Sequence, residues 1–178
     1  IELRNEHRID PAEIEAIRIL AHEEAVTKPS WDRSKLAPTT KETADHSFYY
    51  CVAVALAAGE VTPQQFTDEW LRNPAVAALM AKTTIEAKPE FTALFRQGAR
   101  PAAVEVKTPR GTFYREVTYP RGDPQNPMTW DDVTRKFRTQ AEPVLGPRIA
   151  RQVIDRVHSI EKEADMRSFA RLLARRHK

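Results

Sequence analysis

The scarcities of this 178-residue chain come first: it has one cysteine and five glycines. With Cys51 as the sole thiol, no internal disulfide can form, which fits a reducing compartment and a cytoplasmic protein. None of the glycines lies in a GxGxxG, P-loop or GxSxG pattern, so no glycine-rich phosphate cradle is expected. The histidines His7, His22, His46, His158 and His177 show no metal-ligand spacing, and Cys51 has no second cysteine beside it. A zinc site is therefore not expected. The longest apolar run, Phe48 to Ala58, falls short of the ~20 residues that cross a bilayer. The opening residues carry no signal-peptide pattern. A charge of one sign is also missing: 28 basic and 25 acidic residues are interspersed, for a net +3. No basic stripe with interleaved aromatics occurs, so neither nucleic acid nor membrane is expected as a partner. The terminal RLLARRHK is read as a solvated cationic helix end favourable to the helix dipole.

What is present is the balance of a soluble globular protein, 41% apolar and 30% charged, with material for one domain or two small ones. The chain starts at Ile1 and in mid-pattern: IELRNEHRIDPAEIEAI reads as a helix end and then a turn at Asp10-Pro11. The expectation is a fragment, a processed chain or a subunit. Ile17, Ile19 and Ala21 alternate as in a strand. Ala25 to Lys41, with Pro29 and Pro38, reads as a long loop. An apolar helix follows and ends near Gly59. Thr62-Pro63 and Asn73-Pro74 each open a further helix. TTIEAKP is a strand candidate, and a loop through Gly98 and Pro101 leads to a hairpin. Its strands carry Val104 and Val106, then Phe113, Val117 and Tyr119, around the turn TPRG.

YPRGDPQNPM is the expected internal boundary. Beyond it Thr129 caps a helix with Asp131 and Asp132 in its first turn and Trp130, Val133 and Phe137 on its apolar stripe. Gly146-Pro147 separates this helix from one bearing Ile149, Val153, Val157 and Ile160, and a last helix carries Met166, Phe169, Leu172 and Leu173. The predicted class is α+β: a small antiparallel sheet packed with helices over residues 1–120, then a short all-helical segment over 121–178. Three short helices bury little alone, so they are expected to pack on something larger.

The chemistry concentrates in ETADHSFYY. On a helix, His46 and Tyr50 share a face and Ser47 lies one turn before Tyr50. A helix start offers uncommitted N–H groups and a positive dipole end, which can receive a carboxylate. Asp45 would oppose an anion unless it caps the helix. The plainer reading has Thr43 or Asp45 as the cap and His46 satisfied at the surface. Cys51 is read as a small buried hydrophobe, since no base is identifiable beside it.

An ordered set of pieces resembles the MmgE/PrpD family, which includes 2-methylcitrate dehydratases, cis-aconitate decarboxylases and iminodisuccinate epimerases. The pieces are Ala44 to Ser47, Gly59-Glu60, Phe66, the Val104 to Tyr119 hairpin, Gly122 to Pro127 and Lys136-Phe137. The resemblance implies a smaller α+β domain plus C-terminal helices that return to a larger helical domain, with the active site between the two. It implies a metal-independent lyase without cofactor, a small tricarboxylate substrate and a homodimer or other homo-oligomer. Propionate catabolism is the implied setting. Within HSFYY it places Tyr50 as the catalytic residue, with His46 and Ser47 as the substrate-binding ones. The base and most of the remaining apparatus would come from the larger domain, leaving this chain inactive alone. The hydro-lyase branch, the decarboxylase or epimerase branches, and a non-catalytic interaction module all remain open.

Overall fold

A computed structural model describes residues 1–27 and 33–174, divided into two compact units, Ile1–Pro120 and Arg121–Lys178. Residues 28–32 of the expected loop and the last four residues of RLLARRHK lie outside the described residues.

The first unit runs α1 (Glu2–His7), β1 (Ala16–Ala21), α2 (Glu23–Thr27), α3 (Arg33–Leu36), α4 (Lys41–Asp45), α5 (Phe48–Ala58), α6 (Asp68–Leu71), α7 (Pro74–Ala81), β2 (Thr83–Ala87), α8 (Pro89–Arg96), β3 (Ala102–Thr108) and β4 (Gly111–Val117). The four strands form one sheet in the order β2-β1-β3-β4. The α+β class is as expected, but the sheet is mixed rather than antiparallel. β1 and β2 run parallel, with Ile17 opposite Thr83 and Ile19 opposite Ile85, while β1–β3 and β3–β4 are antiparallel. Parallel neighbours need a long crossover, and here helices α2 to α7 supply it.

Ile17, Ile19 and Ala21 are buried on β1, as their alternation predicts. Ile17 and Val106 join one core with Leu3, Ile9, Ile14, Ala53, Val54, Leu56, Val76 and Leu79. The central piece of that core is α5, apolar nearly all round and packed against α3, α4, α7 and β2. Gly59 ends it with φ +76°, and a Cβ there would collide with the Arg4 guanidinium. Arg115 on β4 reaches Glu2 at 2.5 Å and Glu6 at 2.8 Å, tying the sheet edge to α1.

Several local expectations change. The stretch read as a loop from Ala25 contains α3 and reaches into α2 and α4. The segment opened by Thr62 is a 3-10 turn, Pro63–Phe66, and the α-helix restarts at Asp68. The connection before the hairpin contains α8, which buries Phe91. Of the residues assigned to one side of the returning strand, Phe113 is half-buried against His7 and Val117 is exposed.

In the second unit, α9 (Trp130–Leu145), α10 (Pro147–Val157) and α11 (Met166–Leu173) follow a tied-down loop. The Asp123 carbonyl accepts from Asn126 N–H at 2.8 Å, and the Asn126 carbonyl accepts from Gly122 N–H at 2.8 Å. Asp132 accepts from Thr129 N–H at 2.9 Å, from the Thr129 hydroxyl at 2.8 Å, from Arg135 at 2.6 Å and from Arg121. The hydrogen bonds from the Thr129 backbone first, then from Arg121 and the Thr129 hydroxyl, hold its carboxyl far below the usual carboxylate range. Among the described residues of this unit only Ala150 and Val153 are fully buried apolar side chains. Trp130, Val133, Val157, Ile160 and Met166 are exposed.

Candidate functional site

The stretch Thr40 to Tyr50 folds as two helices meeting at His46 and Ser47, not as one. Thr40 caps α4 by a reciprocal bond pair with Thr43, and Ser47 caps α5 by accepting from Tyr50 N–H at 3.1 Å. Thr40 and Ser47 are thus the caps, in place of Thr43 or Asp45. The Ser47 backbone is extended, φ −99° and ψ 115°, so the chain breaks there before the apolar run begins. This break puts His46 at the outer corner, as the last residue of the α4 turn.

Each predicted site residue can now be placed. His46 is exposed, and its Nδ1 lies 2.6 Å from Asp45 Oδ1 and 3.0 Å from the Glu42 carbonyl. Both neighbours are acceptors, so Nδ1 carries the proton in either charge state. Those contacts, the Glu42 carbonyl first and the Asp45 carboxylate second, raise the His46 pKa and favour the imidazolium. Asp45 is balanced by His46 and by Lys41 at 3.7 Å. Ser47 is buried: its hydroxyl donates to the Lys35 carbonyl at 2.5 Å while accepting from Tyr50 N–H. Tyr50 is 1% exposed, and its phenol donates to the Gln65 carbonyl at 2.6 Å. Its ring sits 5.6 Å from that of Phe66. Burial pushes the phenol pKa up, with Cys51 adding to the shift. Cys51 is half-buried with Sγ 3.6 Å from the Ala44 carbonyl, and its thiol pKa is raised by burial first.

His46 and Tyr50 thus do not share one helix face as the spacing predicts; with Ser47 they meet at a helix junction with different degrees of access. His46 faces solvent, whereas the Ser47 and Tyr50 hydroxyls are spent on backbone carbonyls. Tyr50 borders a groove of about 360 Å³ together with Leu36, Pro38, Leu71, Val76 and Met80. The carbonyls of Lys35 and Gln65 were missed because a backbone acceptor leaves no trace in residue type. Gln65 had a signal, the T-x-x-Q pattern with Thr62: its side-chain oxygen accepts from Thr62 N–H at 2.8 Å. Among the described residues no cluster of three or more His, Cys, Asp or Glu side chains could hold a metal ion. No described helix is long and apolar enough to cross a membrane.

A family model described as the MmgE/PrpD C-terminal domain matches residues 1–162. This chain belongs to the MmgE/PrpD family. Over 136 residues, 76% of its length, this MmgE/PrpD C-terminal domain is 26% identical to cis-aconitate decarboxylase of Mus musculus and to that of Homo sapiens. Over 120 residues, 64% of its length, it is 32% identical to the 2-methylcitrate dehydratase-like protein oryR of Aspergillus oryzae. The matches take up 28%, 28% and 24% of those proteins, so the domain spans about a quarter of the curated relatives it resembles.

Proposed function

We propose that this chain is the C-terminal part of a 2-methylcitrate dehydratase-like hydro-lyase, completed by a larger helical domain and acting on a small tricarboxylate. The observation that carries the reading is the 32% identity over 120 residues to a 2-methylcitrate dehydratase-like protein, with the His46–Tyr50 junction lying inside the family-matched residues 1–162. Dehydration needs a base to take a proton beside a carboxylate and an acid to protonate the leaving hydroxyl. It also needs cations to hold the substrate carboxylates. His46, exposed and biased toward its cationic form, suits the last task. Ser47 acts behind it by fixing the start of α5. Tyr50 stays protonated at neutral pH, and it can donate to a substrate only by leaving the Gln65 carbonyl. The base comes from the larger domain. Assembly as a homo-oligomer in the cytoplasm belongs to the same proposal.

A second reading, decarboxylation of cis-aconitate, is favoured by the two cis-aconitate decarboxylases among the relatives. The test is to assay the whole protein containing this domain with 2-methylcitrate and with cis-aconitate. Dehydration of 2-methylcitrate, followed as formation of the unsaturated product, supports the first reading. Release of carbon dioxide from cis-aconitate supports the second. Absence of turnover with both, in a folded whole protein, overturns the two together and leaves the epimerase branch and an interaction module.

A further inference from the structure

The charged corner between α4 and α5 contains more than a substrate-facing histidine. Asp45 and His46 are adjacent in sequence, and their side chains turn back onto each other across the end of α4. Nδ1 is caught between two acceptors, Asp45 Oδ1 at 2.6 Å and the Glu42 carbonyl at 3.0 Å. That arrangement fixes which nitrogen carries the proton and which edge of the ring faces out. Among the described residues no hydrogen bond engages Nε2. The other charged groups at the corner are few. Glu42 Oε1 stands 4.0 Å from Nδ1, and Lys41 contacts Asp45 on its second carboxylate oxygen at 3.7 Å. From α5, Cys51 Sγ lies 3.8 Å from the Asp45 carbonyl. No ion pair from α3 or α6 reaches His46 among the described residues.

We infer that Asp45 is a positioning residue. With the Glu42 carbonyl it pins the proton on His46 Nδ1 and presents the Nε2 edge to a carboxylate of the substrate. The inference rests on the functional reading above for the identity of the ligand, but the positioning itself does not. A carboxylate placed directly beside an anion-binding histidine would weaken binding if it faced the ligand. Here it is held on the far side of the ring by Nδ1 and further neutralised by Lys41. The negative charge therefore favours the cation without meeting the incoming anion.

The experiment has two arms. In the 178-residue chain, His46 is titrated by ¹⁵N–¹H correlation of the imidazole resonances, for the native sequence, Asp45→Asn and Asp45→Glu. The expected result is a native His46 pKa above the ordinary value and Nδ1-protonated in the neutral form. Asp45→Asn then shows a lower pKa and a mixture of tautomers, and Asp45→Glu restores part of the shift. An Asp45→Asn chain whose His46 titrates as the native one overturns the inference. In the whole protein, Asp45→Asn raises KM for the tricarboxylate several-fold, by more than it lowers kcat. The pH at which kcat/KM declines on the alkaline side also falls. A change in Tm alone, with KM and the pH profile unmoved, marks Asp45 as merely structural and rejects the role. Failure of the whole protein to turn over any tricarboxylate sinks the functional reading, while the titration arm still decides what Asp45 does to His46.

Discussion

Access separates the three candidate residues His46, Ser47 and Tyr50 more sharply than their chemistry does. The surface position of His46 was legible, since the plainer reading already has it exposed and satisfied there. The commitment of Tyr50 and Ser47 was not legible, since spacing shows which side chains share a face and not what the facing backbone offers. Two substitutions test this. Ser47→Ala removes the cap of α5 and leaves the Lys35 carbonyl without its donor, and should cost about 2 kcal/mol in chemical denaturation. Tyr50→Phe leaves the Gln65 carbonyl unpaired in the core and should cost about 1–3 kcal/mol. If the phenol also moves a proton, the same variant in the whole protein lowers kcat by ~100-fold or more. A stability loss with the native turnover rate would confine Tyr50 to a packing role. The pH dependence of His46 has a definite sign. Its pKa is raised on folding, so its contribution is fully present below ~6.5. It is lost as pH rises through the folded value, and the NMR titration above reads that value directly.

Turns and caps carried the element-level reading. TPRG closes the β3–β4 hairpin, where Arg110 N–H donates to the Thr108 hydroxyl at 3.2 Å, and Asn73 and Thr129 cap α7 and α9. α8 was overlooked although Phe91, Leu94 and Phe95 recur at helical spacing after Pro89, because Gly98 and Pro101 drew the segment toward a loop. The parallel pairing of β1 with β2 could not be read at all: alternation says that a strand has two faces, not which neighbour it takes or in which direction. Gly59→Ala is the sharpest test of an element boundary. It puts a residue with a Cβ into the left-handed region and displaces the Arg4 guanidinium, so a loss of about 1 kcal/mol is expected in thermal unfolding. At the start of α9, the Asp132 carboxyl is depressed on folding. Its contribution is present above the unfolded value of ~3.9 and lost as pH falls through the folded one. Asp132→Asn should therefore flatten the acid limb of the unfolding curve of the second unit, followed by circular dichroism between neutral and strongly acidic pH.

For the molecule as a whole, the two units are unequal in what they bury. The first contains the sheet and the entire cluster around α5, whereas the second has two fully buried apolar side chains among its described residues. Residues 1–120 expressed alone should keep a cooperative thermal transition, and 121–178 alone should give the circular dichroism of a largely unfolded chain. A cooperative transition in the shorter piece would show that its helices need no outside support. The mixed sheet also bears on how the chain is made. β1 lies in the interior of the sheet, yet its two pairing strands begin at Thr83 and Ala102, far downstream. Ile17, Ile19 and Ala21 are therefore synthesised well before the two strands they pair with. Until β2 and β3 have followed, β1 lacks both of its sheet neighbours, so its apolar edge stays open for longer than that of a strand paired within a hairpin.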